Sequence, residues 1–214
     1  DQFPTLKKAS DLEPIKYIPT PFGPLNALLG GGYPRGKYTT IAGPSGVGKT
    51  LGVLQTIAYN QQIDENFVAA IADVECSLDV AWLTKLGLDL ERTLLLQYSS
   101  EEKEKDKKKA KKKKTKASKK GEEEEIEEEL DNSEMLELTA HDEYALTMEW
   151  YCDKIIEYTK TGGIDLILVD SVGAFLTVAE KNKSMEENTM LNLQRKLGEF
   201  FRRNVHDCSL SGTA

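Results

Sequence analysis

Short apolar runs alternate along most of the chain with longer stretches in which apolar residues recur at helical spacing. A short run rich in β-branched and apolar residues is typical of a buried strand, and a three-to-four-residue period is typical of a helix packed on one face. The predicted strands are residues 38–42, 67–72, 93–96 and 164–169, and the predicted helices are residues 49–62, 79–86, 141–161 and 186–203. This alternation predicts an α/β fold with a mostly parallel central sheet flanked by helices.

Two segments depart from this rhythm. Residues 1–24 hold five of the seven prolines, which predicts an extended arm ahead of a core over residues 25–214. Residues 103–120 contain 12 lysines, and residues 122–129 contain seven glutamates. Such a composition builds no core, so we predict a charged low-complexity insertion at about 101–138. It is interpreted either as a solvated spacer or as a lysine block that adds non-specific DNA affinity.

Composition narrows the class of protein. The net charge of −8 excludes a generally basic protein, so nucleic-acid binding would need a local patch. The three cysteines have no metal-binding spacing, which favours a reducing, cytoplasmic setting. No apolar stretch approaches the roughly 18 residues that span a bilayer, so no membrane is expected as a partner.

The strongest motif lies between the first predicted strand and the helix after it. It matches the P-loop pattern GxxxxGK[ST], in which backbone N–H groups and the helix N-terminus cradle phosphates. We expect Lys49 to reach the β- and γ-phosphates of ATP and the Thr50 hydroxyl to ligate Mg²⁺. The nucleotide-binding residues of the motif are Gly43, Pro44, Ser45, Gly46, Val47, Gly48, Lys49 and Thr50.

Carboxylates follow two of the predicted strands. Asp170 ends the most apolar strand, where a Walker B aspartate would hold Mg²⁺ through water; the alternative is a helix cap. Asp73 and Glu75 follow the second strand, where a carboxylate would face the γ-phosphate and activate water. Spacing alone does not decide which of the two residues activates water. The alternative is that both are surface carboxylates without a catalytic role.

The segments at 25–36, 72–79 and 82–89, together with the P-loop, resemble the RecA family of DNA strand-exchange recombinases. The resemblance implies that Glu75 is the catalytic base. It also implies that Asp79 touches adenine and that Trp82 stacks on it, although Trp82 is alternatively a core residue. It implies a first DNA-binding loop at about 179–188 and makes Arg195 and Lys196 candidate phosphate contacts, with a solvated helix face as the alternative.

The same resemblance implies an ATPase that assembles as a filament or ring on single-stranded DNA, with ATP and Mg²⁺ as cofactors. It also implies further strands and a second DNA loop, so we expect the 214 residues to be an incomplete core. Three glutamates in the first loop region depart from the family pattern: Glu180, Glu186 and Glu187. They leave open an ATP-binding paralogue that acts as a regulator or mediator without strand exchange.

Overall fold

The computed structural model describes residues 9–96, 146–181 and 192–214. The described strands are β1 (Tyr17–Ile18), β2 (Tyr33–Pro34), β3 (Ala69–Asp73), β4 (Thr93–Leu95) and β5 (Leu166–Asp170). β1 and β2 form a small antiparallel pair. The other three form a parallel sheet in the order β4-β3-β5, which confirms the predicted α/β fold with a parallel sheet.

The described helices are α1 (Gly23–Leu29), α2 (Lys49–Ile63), α3 (Val80–Lys85), α4 (Met148–Thr161), α5 (Val178–Lys181) and α6 (Asn192–Ser211). Polar side chains start two of them: Asp79 accepts backbone hydrogen bonds at the start of α3, and Thr147 accepts one at the start of α4. A left-handed glycine, Gly162, ends α4. Within the described part of the chain, no helix combines the length and apolar character needed to span a bilayer.

Side chains of the sheet alternate between two apolar clusters. Ile71 and Leu166 join the cluster that contains the buried face of α2, whereas Ala72 packs into the cluster formed by α4, α6 and Phe175. Successive residues of a strand point to opposite faces, so this alternation means that helices cover both sides of the sheet. Ile57 of α2 and Ile155 of α4 are both nearly inaccessible to solvent.

One predicted strand is absent. Residues 38–44 carry no strand assignment, and Tyr38 and Ile41 are exposed instead of buried. The apolar pattern favours a strand, but a strand also needs a neighbour, and no described strand pairs with this segment. The prediction of a buried strand at 38–42 is therefore wrong for the structure described.

A cavity of about 470 Å³ separates this segment from β5. Ala214 lines this cavity and bonds to β5. The Ala214 N–H donates to the Asp165 carbonyl at 2.9 Å, and the Ala214 carbonyl accepts from the Ile167 N–H at 2.8 Å. That is the bonding of a parallel bridge. On another wall, the fully buried Asn204 side chain has no hydrogen-bond partner among the described residues.

Two helix boundaries also differ from the predictions. Leu146 has a φ of 62°, outside the right-handed helical region, so α4 begins at Met148 and not at residue 141. α6 continues beyond residue 203 to Ser211 because Asn204 and Cys208 keep one face buried. Four predicted segments lie partly or wholly outside the described residues: residues 1–8 of the predicted arm, the predicted insertion at 101–138, residues 141–145 of the predicted helix and residues 182–188 of the predicted DNA loop.

Candidate nucleotide-binding site

The P-loop runs directly into α2. Gly46 and Gly48 have φ values of 78° and 87°, which favour glycine, and a Cβ at either would meet nothing within 4 Å. The loop is exposed, and Gly48 is the residue before the first turn of α2. The Lys49 ammonium folds over the loop and donates to the carbonyls of Gly43 and Pro44, at 3.0 and 2.7 Å. An exposed glycine-containing loop at a helix N-terminus, with a lysine ammonium beside it, is suited to an anionic phosphate chain.

The P-loop and the end of β5 are joined by one hydrogen bond. The Thr50 hydroxyl, in the first turn of α2, donates to Asp170 Oδ2 at 2.7 Å. The two residues are 120 positions apart in sequence, so the fold brings this pair together. A hydroxyl and a carboxylate at this distance are oxygen ligands of the kind Mg²⁺ takes beside phosphate.

The ends of β3 and β5 are level, because Asp73 pairs with Asp170 in the sheet register. The chain leaving β3 then turns back over β5: the Val74 and Glu75 N–H groups both lie within bonding distance of the Asp170 carbonyl, at 2.8 and 3.3 Å. The backbone of the turn is thus fixed to the strand end that carries the aspartate paired with Thr50.

The Asp73 side chain stabilises this turn. Its two carboxylate oxygens accept from the Ser77 and Leu78 N–H groups at 3.1 and 2.9 Å. Cys76, the residue before Ser77, has a left-handed φ of 52°. Asp73 therefore holds the loop together, which leaves Glu75 as the carboxylate with an oxygen to spare.

Glu75 itself is exposed, and one of its oxygens, Oε1, accepts a hydrogen bond from the Ser171 hydroxyl. Ser171 is the residue immediately after Asp170, so the contact links the two strand ends a second time. Sequence reasoning missed both this contact and the structural role of Asp73. A serine directly after the strand-ending aspartate was the available signal, but its partner depends on how the β3 turn folds.

The two predicted adenine residues lie on α3. Asp79 accepts from the Ala81 and Trp82 N–H groups, at 3.3 and 3.2 Å, as the helix N-cap. Trp82 is partly buried and packs against the cluster beneath α2. Among the described contacts neither side chain bonds to the P-loop, so their roles toward a nucleotide stay predictions.

Arg195 and Lys196 lie in the first turns of α6. Arg195 is exposed, whereas the Lys196 ammonium lies 4.0 Å from Glu199, which also pairs with Arg203 at 3.6 Å. Exposed pairs of this kind contribute little stability and exchange readily with solvent. The predicted contacts of these two residues with DNA phosphates stay a prediction.

Burial dominates the titration of groups behind the site. It raises the pKa of the Cys152 thiol to about 12 and also raises the pKa of the Cys208 thiol, so both are neutral thiols at neutral pH. The pKa of the Tyr151 hydroxyl is raised as well, first by burial and then by the nearby charges of Cys76 and Asp73. The buried thiols and hydroxyl behind the site are therefore uncharged at neutral pH. The formal charges of the site belong to residues at the strand ends and in the P-loop.

No group of three or more His, Cys, Asp or Glu side chains that could enclose a metal ion occurs among the residues the structure describes. The Thr50–Asp170 pair supplies two oxygen ligands next to the P-loop. Such a pair suits Mg²⁺, which usually keeps several waters and shares its remaining positions with substrate phosphates.

A P-loop at the start of a helix, with a strand-ending aspartate beside it on a parallel sheet, is the arrangement of a P-loop core. The comparisons with known proteins give the family. The RecA N-terminal domain model matches residues 6–112, which is half of the chain, and the chain therefore belongs to the RecA family.

Several curated relatives support this assignment. Protein RecA of Mycoplasmopsis pulmonis is 30% identical over 174 residues, covering 81% of this chain and 37% of that protein. Protein RecA of Sulfurovum sp. is 31% identical over 196 residues, covering 90% and 42%. Protein RecA of Nautilia profundicola is 42% identical over 88 residues, covering 41% and 25%. The chain spans less than half the length of these relatives.

Proposed function

We propose that this protein binds ATP with Mg²⁺ at the P-loop and hydrolyses it. The observation that carries the proposal is the 2.7 Å hydrogen bond from the Thr50 hydroxyl to Asp170 Oδ2, which unites the two expected magnesium ligands. When nucleotide binds, the Lys49 ammonium exchanges its two loop carbonyls for the β- and γ-phosphates. Mg²⁺ supplies charge neutralisation at the phosphates, with Thr50 and, through water, Asp170 as its protein ligands.

Hydrolysis needs a group that orients and deprotonates the attacking water. We assign this role to Glu75 because Asp73, the other candidate, has both oxygens occupied by backbone N–H groups. The nucleobase is assigned to the α3 region, where Trp82 offers a flat apolar face and Asp79 a carboxylate.

The membership in the RecA family extends the proposal to DNA. We propose a DNA-dependent ATPase that forms a filament, or a ring, on single-stranded DNA and acts in homologous recombination and repair. Phosphate contacts from Arg195 and Lys196 would hold the strand without reading its sequence.

A second candidate is an ATP-binding paralogue that regulates or mediates recombination without exchanging strands. Three glutamates in the predicted first DNA loop favour it, because they place negative charge where DNA phosphates would lie: Glu180, Glu186 and Glu187. The net charge of −8 acts in the same direction.

The test is ATP hydrolysis by the protein with and without single-stranded DNA, combined with direct measurement of ATP binding. Two variants probe the site, Lys49→Ala and Glu75→Gln, and two remove equivalent groups on the distant surface, Lys160→Ala and Glu65→Gln. We expect DNA to stimulate hydrolysis, both site variants to lose most of their turnover, and Glu75→Gln to keep ATP binding. The surface variants should behave as the unmodified protein.

Tight ATP binding with negligible turnover, indifferent to DNA, would instead favour the regulatory candidate. Absence of ATP binding in the unmodified protein, under conditions where it is folded, would refute both.

A further inference from the structure

The Ser171 hydroxyl hydrogen-bonds Glu75 Oε1 across the gap between two parallel strands. Ser171 is not part of the P-loop, and its neighbour Asp170 already pairs with Thr50. The contact therefore connects the carboxylate assigned to water activation with the strand end assigned to Mg²⁺.

The glutamate would be poorly fixed without this contact. Its N–H bonds to the Asp170 carbonyl at 3.3 Å, which sets the backbone, but the long side chain is exposed. Among the described residues, Ser171 is the only side chain that hydrogen-bonds the Glu75 carboxylate. A free glutamate side chain samples several rotamers, and holding one of them has an entropic cost that a hydrogen bond to a charged acceptor can offset.

The serine has a fixed position of its own. It follows the last residue of β5, and its carbonyl accepts from the Ala174 N–H at 3.0 Å in the short 3₁₀ turn after the strand. Its hydroxyl is thus presented from backbone that is hydrogen-bonded within the turn, as a positioning group requires.

We propose that Ser171 is a positioning residue for Glu75 in ATP hydrolysis. By occupying Oε1 it fixes the side chain and leaves Oε2 to accept the proton of the attacking water. This inference rests on the proposed function, because it assigns a partner to the glutamate on which that function depends.

The experiment compares Ser171→Ala and Ser171→Thr with the unmodified protein, measuring kcat, KM and the dissociation constant for ATP. Ser209→Ala, on the exposed face of α6, is the control for loss of a hydroxyl. We expect kcat of Ser171→Ala to fall about tenfold to a hundredfold, as for loss of one hydrogen bond to a charged group. The dissociation constant for ATP should change less than about twofold, since the P-loop is untouched. Thr keeps the hydroxyl, so Ser171→Thr should recover most of the rate.

A double-mutant cycle separates positioning from a general structural effect. In the Glu75→Gln background, Ser171→Ala should lower the residual rate by less than about twofold, because the group that it positions has been removed. A full additional loss would show that the serine acts elsewhere and would overturn the inference.

The two proposals fail differently. If the unmodified protein hydrolyses ATP, Glu75→Gln does not, and Ser171→Ala keeps a normal kcat, only the role of Ser171 is refuted. Parallel loss of ATP binding and turnover in Ser171→Ala would also refute it. If Glu75→Gln hydrolyses ATP as fast as the unmodified protein, the proposed catalytic role of the glutamate fails first.

Discussion

Replacing Asp73 should lower the stability of the fold more than it lowers the rate of ATP hydrolysis. The carboxylate accepts two backbone hydrogen bonds, from Ser77 at 3.1 Å and Leu78 at 2.9 Å, and so closes the turn that carries Glu75. Asp73→Ala removes both acceptors and leaves two N–H groups to water. Asp73→Asn keeps one carbonyl oxygen but replaces the other with an NH₂ group, which cannot accept.

The magnitude follows from those two contacts. A hydrogen bond to a charged group contributes about 1.5–3 kcal/mol in a favourable setting. The bond to Ser77 is exposed and the bond to Leu78 is part-buried, so water replaces much of what is lost. We therefore expect Asp73→Ala to lower the free energy of unfolding by about 1–3 kcal/mol, and Asp73→Asn by about half as much.

Equilibrium urea unfolding, followed by circular dichroism and tryptophan fluorescence, measures the stability of each variant. ATP binding and hydrolysis are measured on the same preparations at a temperature where every variant is folded. Asp64→Ala is the matched control, because Asp64 accepts one backbone hydrogen bond, at 2.9 Å, in a turn remote from the P-loop. It should cost about 0.5–1 kcal/mol and leave kcat unchanged.

The comparison with Glu75→Gln gives the decisive pattern. That variant should reduce turnover to a small residual rate at nearly unchanged stability, whereas Asp73→Ala should lose stability and keep a larger part of its turnover. The reasoning is refuted if Asp73→Ala unfolds within about 0.5 kcal/mol of the unmodified protein. It is also refuted if Asp73→Asn is inactive at full stability, since Asp73 would then be the base.

Three further outcomes are expected. At pH 8 iodoacetamide should label exposed Cys76 well before Cys152, whose pKa burial raises to about 12; equal labelling rates by mass spectrometry would contradict this. Asp165→Ala should cost about 1–2 kcal/mol in urea unfolding, because Asp165 pairs with Arg35 at 2.7 Å and accepts a backbone N–H at 2.9 Å; unchanged stability would count against it. The pKa of Asp89 is lowered, chiefly by a hydrogen bond from the guanidinium three residues on. Its stabilisation is therefore present above the ordinary aspartate pKa and lost as pH falls through the lowered value. The stability lost in Asp89→Asn, measured by urea unfolding, should therefore be full at pH 7 and shrink as the pH falls below the ordinary aspartate pKa.

Local signals predicted the parts of the site that a single segment determines. The P-loop glycines and the helix from Lys49 belong to one stretch of chain, and the structure has α2 at Lys49–Ile63. The choice between Asp73 and Glu75 was beyond spacing, because it depends on which carboxylate folds back onto its own turn. The Ser171 contact joins residues 96 positions apart, and no local pattern reports it.

The wrong strand prediction at 38–42 also shows that a local pattern does not report contacts between distant segments. Apolar, β-branched residues favour extended backbone, and residues 38–44 lie in no helix. Strand formation, however, is a property of a pair, because each backbone group needs a partner across the ladder. Between this segment and β5 lies a cavity of about 470 Å³, and Ala214 makes the one parallel bridge found on that flank of β5 among the described residues. Tyr38 and Ile41 are consequently exposed at the cavity margin, although their sequence is that of a buried strand. The apolar pattern indicates that these residues favour a strand. They form none, because no described strand pairs with them on their side of the cavity.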